Sequence, residues 1–145
     1  MEKKNKGTEY SIEIPKQEKY FFLIRNFLEN ILSLEKVSEK ESDEIVLAVN
    51  EASDKLFSMH QEGQGNIKVD IRIIVNPKKI IITLRHRGLK QLSMYFKKRD
   101  EERIVMDSVK SKIGEYLMEK NADEVSFSSS KRKGHQVKII KYRNR

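Results

Sequence analysis

Apolar residues recur at helical spacing in the first third of the chain. The pattern predicts a short strand over 10–14 and then an amphipathic helix over 16–34, because Pro15 has the fixed φ that suits a first helical turn. The apolar stripe of this helix consists of Tyr20, Leu23, Ile24, Phe27, Leu28, Ile31 and Leu32.

A second helix is predicted to begin near Glu39. Ser38 and Glu41 have the spacing of a capping box, in which a hydroxyl and a carboxylate bind backbone N–H groups of the first turn. Two glycines, Gly63 and Gly65, follow its last apolar position. Its stripe consists of Ile45, Ala48, Val49, Ala52, Leu56 and Met59.

The middle of the chain changes to a period of two, which is typical of strands. The run 66–75 alternates apolar and mostly polar residues, Asn76-Pro77 supplies a turn, and 80–84 continues the alternation. These features predict an antiparallel hairpin with one side covered by the helices.

The remaining segments complete the predicted fold. Residues 89–106 are irregular and charged, which indicates a loop or a short helix. A third helical stripe consists of Val109, Ile113, Tyr116 and Leu117, and two closing strands contain Val125, Phe127, Val137, Ile139 and Tyr142. This order predicts an α/β (α+β) two-layer sandwich, with a mixed, largely antiparallel sheet of about five strands covered on one face by three helices. We expect a flexible N-terminus over 1–9 and a single domain over 10–145.

Composition excludes several kinds of site. The 145 residues contain no cysteine and three scattered histidines, so disulfides and thiolate metal sites are excluded and no metal is expected. No apolar run approaches the roughly 18 residues of a membrane helix, and the charged start lacks the apolar stretch of a signal peptide. The chain is therefore expected to be cytoplasmic, without a membrane partner.

The net charge of +8 is concentrated in the second half of the chain. Residues 1–84 carry 13 Lys/Arg against 14 Asp/Glu, whereas residues 85–145 carry 17 against 8. Such asymmetry fits an acidic protein partner, a phosphate backbone, or a solvated surface that only keeps the protein soluble. The sequence leaves these alternatives open.

Short runs at both ends of the domain carry a family resemblance. Ile14-Pro15, 23–28 and 45–52 at the start, together with 114–137 at the end, resemble the GHKL (histidine kinase-like) ATPase superfamily. The nearest branch is that of the bacterial anti-sigma factors that double as serine kinases. The resemblance implies a Bergerat-type ATP-binding fold.

Two positions on the second helix carry the first departure from that family. The family places a Glu there, which orients a water or acts as a base, and four residues later an Asn that holds magnesium. These positions are Glu51 and Lys55 here. An ammonium group has no lone pair with which to ligate a cation. A simpler interpretation of the two residues is an i,i+4 ion pair on a helix surface.

This chain also departs from the other nucleotide-binding motifs of the family, again by carrying basic residues at motif positions. His86 occupies the position of the Asp that binds adenine, Gly88 is retained, and Lys90 replaces the second glycine. In the phosphate-binding Gly-x-Gly, Lys112 replaces the first glycine and Gly114 remains. His135 follows Gly134 where active relatives have Gly-Thr.

These departures predict a degenerate cleft rather than a working ATP site. Its residues are Glu51, Lys55, His86, Gly88, Lys90, Lys112, Gly114 and His135. The resemblance then implies a pseudokinase without a bound cofactor, a non-catalytic regulator of transcription by partner switching. Its partners would be a sigma factor or an anti-anti-sigma factor, and it could form a homodimer.

Two alternatives remain. The chain could be an active ATP- and magnesium-dependent serine-protein kinase with Glu51 as the catalytic residue. It could also bind nucleic acid or another anion through its basic C-terminal half, on a sheet edge and tail that contain Lys131, Arg132, Lys133, Lys138, Lys141, Arg143 and Arg145.

Overall fold

A computed structural model describes residues 7–58, 68–87, 118–130 and 134–143. The elements follow the predicted order, and residues 118–121 are also helical. The expected irregular segment 89–106 and all four positions of the third helical stripe lie outside the described residues. The elements are β1 (Thr8–Pro15), a 3-10 turn (Glu18–Tyr20), α1 (Phe21–Leu34), α2 (Glu39–Ser58), β2 (Lys68–Val75), β3 (Lys79–Arg87), β4 (Glu124–Ser130) and β5 (Gly134–Tyr142).

The strands form one five-stranded sheet in the order β1-β2-β3-β5-β4. All of its strand pairs are antiparallel, so the expected mixed sheet is purely antiparallel in the described part of the chain. The predicted β2–β3 hairpin is confirmed. Strands β4 and β5 form a second hairpin. Within the sheet β5 pairs with β3, so β4 lies at the edge.

The helices cover one face of this sheet, which confirms the two-layer sandwich. Alternate strand residues point into the core because side chains alternate between the two faces of a strand. None of the described helices is both long and apolar enough to cross a membrane. The largest fully buried side chains are Ile24, Leu28, Leu32, Ile45, Leu56, Ile71, Ile73, Ile80, Ile82, Leu84 and Met118.

The first helix begins later than its apolar stripe predicts. The N–H of Gln17 donates to the carbonyl of Pro15 at 2.9 Å, and the N–H of Tyr20 donates to the carbonyl of Gln17 at 2.9 Å. This second bond spans three residues, the spacing of a 3-10 helix. The α-helix therefore starts at Phe21 and not at Lys16.

The N-terminal boundary also differs from the expectation. Thr8 pairs with Val75 and Glu9 pairs with Ile74, so both belong to β1 rather than to a flexible segment. Gly7 precedes them with φ +78°, and a Cβ at this position would lie 2.1 Å from the carbonyl oxygen of Val75. Only glycine fits this approach of the chain to the sheet.

The turn between the two long helices begins with a Schellman motif. The N–H of Val37 donates to the carbonyl of Leu32 at 3.0 Å, and the N–H of Lys36 donates to the carbonyl of Ser33 at 3.1 Å. Lys36 adopts φ +56°, the left-handed conformation that this motif requires. It holds this conformation without the freedom of a glycine.

The Ser38 half of the capping box at the start of α2 is confirmed by its contacts. The N–H of Glu41 donates to the hydroxyl oxygen of Ser38 at 3.1 Å, and that hydroxyl contacts the Glu41 carboxylate at 3.1 Å. The first helical bond, from the N–H of Ser42 to the carbonyl of Ser38, is 2.8 Å long. Local sequence therefore determines where α2 begins.

The end of the chain is tied to the hairpin turn and to the end of α1. The N–H of Arg143 donates to the carbonyl of Lys78 at 2.8 Å. Its guanidinium donates to the carbonyl of Asn76 at 3.1 Å and to that of Glu35 at 3.4 Å. The hydroxyl of Tyr10 donates to the Glu35 carboxylate. One arginine thus links both layers of the fold.

Candidate functional site

Helix α2 lies across the second hairpin, and its two halves contact different parts of that hairpin. Near its start, Glu44 Oε1 is 2.9 Å from the Nζ of Lys141 on β5. Three turns later, Lys55 Nζ lies 4.2 Å from the ring centroid of Phe127 on β4. Because Phe127 pairs with Val137, the C-terminal half of α2 reaches toward the Gly134 end of β5.

Glu51 and Lys55 lie one turn apart on α2, and both side chains are half-buried. Burial raises the pKa of Glu51, and the negative charge of Asp54 raises it further. This carboxyl group therefore holds a proton to a higher pH than an exposed glutamate does. A proton-transfer group or a crowded structural acid would both show this property.

The Lys55 ammonium lies over the face of an aromatic ring that is itself 42% exposed. The negative face of the ring attracts the cation, so this contact orients the lysine toward the sheet edge. All the polar hydrogens of an ammonium are donors, and it has no lone pair to offer a metal ion. The position can hold an anion or an aromatic face, but it cannot ligate a cation.

His86 and His135 are direct partners across β3 and β5. His135 is half-buried and also pairs with Ser129 of β4. This cross-strand row lies two residues along the strands from the row that contains Phe127 and Val137. The backbone therefore brings the two histidine positions together near the end of the sheet that the Lys55 end of α2 approaches.

The predicted cleft is only partly within the described residues. The structure brings Glu51 close to Lys55 and His86 close to His135. The other four predicted members are outside the described residues, and their place in one cleft stays a prediction. These are Gly88, Lys90, Lys112 and Gly114.

Sequence reasoning missed two residues of this site. Phe127 was predicted only as a strand residue, because its contact with Lys55 depends on which strand of the sheet lies beneath α2. Asp54 could have been identified from the sequence, since it lies three residues after Glu51 on the same helix and like charges at that spacing interact.

Metal-ligating side chains do not cluster in the described part of the chain. No group of three or more His, Asp or Glu residues there is arranged to hold a metal ion. The candidate site is therefore defined by a carboxyl group, an ammonium group and two histidine positions.

The basic C-terminal half does not form a single patch in the described residues. The expectation that its cations share a sheet edge is wrong for β5, because this strand lies between β3 and β4. Lys141 binds Glu44 on the helix side, whereas Arg143 donates to carbonyl groups of the turn. Lys138 alternates with Lys141 along β5 and lies on the other face of the sheet.

Comparisons with known proteins agree with the sequence resemblance. The family described as the histidine kinase-like ATPase domain matches residues 14–141. A crystal structure of the RsbU and RsbW domains of a Mycobacterium tuberculosis protein matches with a TM-score of 0.62 at 12% identity. The match covers 95% of this chain and 33% of that one, so the chain spans about a third of its length. No curated protein sequence matches significantly. At this identity the structural likeness concerns the fold alone.

Proposed function

We propose that this chain, which belongs to the histidine kinase-like ATPase domain family, is a non-catalytic regulator of the anti-sigma-factor type. It acts in the cytoplasm by binding another protein, a sigma factor or an anti-anti-sigma factor, and its nucleotide binding is lost or weak. Partner switching would then depend on competition between proteins rather than on phosphoryl transfer.

The observation that carries this proposal is the position of Lys55. In the family resemblance this residue replaces the asparagine that holds magnesium, and in the structure its ammonium group lies 4.2 Å from the Phe127 ring centroid. A cation at that position repels a divalent ion and gives it no ligand. Triphosphate binding that depends on a bridging magnesium ion is therefore disfavoured.

The scaffold itself supports a binding role. Its core is continuous across α1, α2 and the sheet, with many side chains fully buried. A stable sandwich that has lost its ligand chemistry still presents a defined surface to a protein. The buried core and the degenerate motifs thus both support a protein-binding role.

Isothermal titration with Mg-ATP tests the loss of nucleotide binding. We expect no saturable heat for the wild-type protein at millimolar nucleotide. Lys55→Asn restores the side chain that holds magnesium in the family. Lys40→Asn is its matched control, because Lys40 lies on the exposed start of the same helix. Magnesium-dependent binding of Mg-ATP by the wild type with micromolar affinity would overturn the proposal.

The protein-binding part has a separate test. The tagged chain is incubated with extract of its native host after ATP has been removed with apyrase, and bound proteins are identified by mass spectrometry. We expect a partner to be retained without nucleotide. Retention that appears only when Mg-ATP is restored would show that the nucleotide cycle operates.

The raised pKa of Glu51 favours one second candidate, an active serine-protein kinase. A general base works best when its pKa lies near the working pH, and burial moves Glu51 in that direction. This candidate predicts transfer of labelled phosphate from ATP to a captured partner, and loss of the transfer in Glu51→Gln. Absence of labelled partner in the wild type would reject it.

A further inference from the structure

The face of the sheet opposite the helices carries an apolar row. Ile74, Ile81 and Ile140 are direct cross-strand partners on β2, β3 and β5, and all three are half-buried. Glu9 and Glu124 end the row on the two outer strands. We call this surface the open face, and no described element packs against it.

Lysines flank this row on both sides along the strands. Lys138 lies one row away toward the Gly134 end of β5, and Lys79 lies one row away toward the β2–β3 turn, opposite Tyr142. Among the described residues, neither ammonium group has an ion-pair partner. Tyr142 is 45% exposed and extends the apolar surface beside Ile140.

Each of the acidic groups near the row has a side-chain partner, although only two of these partners are cations. Glu9 lies 3.2 Å from Arg72, and the Glu124 carboxylate accepts a hydrogen bond from the hydroxyl of Tyr142. Asp70 and Arg85, which lie two rows from the isoleucines, form an ion pair at 3.0 Å. The Glu9–Arg72 and Asp70–Arg85 pairs balance their charges, whereas Glu124 keeps its negative charge at the β4 end of the row. The two positive charges of Lys79 and Lys138 exceed that single negative charge, so a net positive charge remains around the isoleucines.

We propose that the open face is a docking surface for an acidic amphipathic helix of a partner protein. Neighbouring strands are about 4.8 Å apart, so the outer isoleucines of the row are separated by about 10 Å. Positions i and i+7 of an α-helix are also about 10 Å apart. A helix laid across β2, β3 and β5 would place apolar residues i, i+3 or i+4, and i+7 on Ile74, Ile81 and Ile140.

The charges determine what flanks that apolar stripe. The lysine rows lie about 7 Å to either side along the strands, within reach of acidic side chains on the two sides of such a helix. A second copy of this chain would present the same positive surplus, and face-to-face packing would bring like charges together. Nucleic acid would pair with the lysines but would leave the isoleucines without an apolar partner.

This inference rests on the proposed protein-binding function and assigns it a surface. The open face lies on the opposite side of the sheet from α2 and the candidate cleft. Binding at the open face is therefore independent of Glu51 and Lys55, and a partner could dock there whether or not a nucleotide binds.

A designed peptide tests the docking surface. The probe is a fluorescein-labelled helical peptide with leucines at i, i+3, i+7 and i+10 and glutamates on both flanks, and its binding is measured by fluorescence anisotropy. A scrambled peptide of the same composition and an analogue with lysine in place of glutamate are the peptide controls. We expect saturable binding of the acidic amphipathic peptide only.

Two variants of the protein locate the binding. Lys138→Glu reverses an unpaired charge beside the row, and we expect it to weaken peptide binding by about tenfold or more. Ile81→Thr keeps a β-branched residue at the centre of the row and is expected to weaken binding without unfolding the chain, as thermal unfolding verifies. Lys120→Glu, an equal charge change at an exposed residue of the helical segment 118–121, should leave the affinity within about twofold.

Several results would overturn the docking surface. These are no binding of the acidic peptide, equal binding of the scrambled or basic peptide, or equal loss in Lys120→Glu and Lys138→Glu. Tighter binding of a single-stranded oligonucleotide with the same lysine dependence, or a dimer that Ile81→Thr dissociates, would assign the face to another occupant and also overturn it. Nucleotide-free capture of a partner without peptide binding rejects only the surface, whereas micromolar Mg-ATP binding with intact peptide binding rejects only the proposed function.

Discussion

Lys55 on α2 and Phe127 on the edge strand β4 form a cation–π contact, with 4.2 Å between the ammonium nitrogen and the ring centroid. The two residues are far apart in sequence, and their contact joins the C-terminal half of α2 to the outermost strand. It also places a positive charge at the position on which the proposed loss of magnesium binding depends. The contact therefore bears both on the stability of the domain and on its proposed loss of magnesium binding.

A double-mutant cycle on this contact measures its strength. Lys55→Met and Phe127→Leu each remove one partner while keeping an apolar side chain. We expect a coupling free energy of about 0.5–1 kcal/mol, measured by urea unfolding of the four proteins. Strictly additive effects of the two substitutions would show that the contact contributes nothing to stability.

Glu51 should make stability depend on pH through its raised pKa, which has burial as its largest cause and Asp54 as the next. An acid whose pKa is higher in the folded state stabilises the protein below its unfolded pKa and loses that contribution as pH rises through the folded pKa. Glu51→Gln should therefore stabilise the protein near neutral pH by roughly 0.2–0.5 kcal/mol, since it removes a like-charge pair.

That gain should shrink when unfolding is measured at a pH below the ordinary glutamate range, where Glu51 is protonated in both states. Glu119→Gln, at an exposed residue of the helical segment 118–121, is the control for loss of a carboxylate. A gain of equal size at acidic and neutral pH would contradict the role given to the Glu51 charge.

The ion pair of Lys141 and Glu44 is expected to matter more than an exposed pair. Its atoms are 2.9 Å apart, and the side chain of Lys141 is only 12% exposed. Glu44→Gln leaves a largely buried ammonium without its carboxylate. We expect the free energy of unfolding to fall by about 1–3 kcal/mol. This range lies between the cost of losing an exposed pair and the cost of breaking a fully buried one.

The matched control for this prediction is Glu29→Gln. Glu29 and Arg25 form an exposed i,i+4 pair at 3.5 Å on α1, and its loss should cost at most about 0.5 kcal/mol. Chemical denaturation of both variants at low and high salt gives the comparison. Equal costs for Glu44→Gln and Glu29→Gln would show that burial does not strengthen the Lys141 pair.

Lys36→Gly should stabilise the protein. Lys36 has φ +56°, and a left-handed conformation costs a residue with a Cβ about 1–2 kcal/mol, part of which the greater freedom of glycine in the unfolded chain offsets. We expect a net gain of roughly 0.5–1 kcal/mol in thermal unfolding. Lys40→Gly, the same change in the first turn of α2, should instead destabilise the protein. A loss of stability in Lys36→Gly would contradict the strain at this turn.

Elements whose signals are local were predictable from the sequence. The start of α2 follows from Ser38 and Glu41, which lie three residues apart and contact each other in the structure. The β2–β3 turn follows from Asn76, whose side-chain oxygen accepts from the N–H groups of Lys78 at 2.9 Å and Lys79 at 2.8 Å. The start of α1 was misplaced because the apolar stripe continues through Tyr20 into a 3-10 turn.

The candidate site was predictable only in part. Glu51 and Lys55 could be placed on one helix face from their spacing alone. The pairing of His86 with His135 and the contact of Lys55 with Phe127 depend on strand order and register, which no local signal encodes.

The sequence by itself determined the periodicity of each helix and strand, the capping of α2, the absence of thiol chemistry and the family to which the domain belongs. Only the tertiary structure decided that β5 lies inside the sheet, that Lys141 pairs with Glu44 while Lys138 lies on the opposite face, and that three half-buried isoleucines form one cross-strand row. The reason is that periodicity reports which residues of a segment share a face. The neighbour of that face is selected by packing between segments distant along the chain.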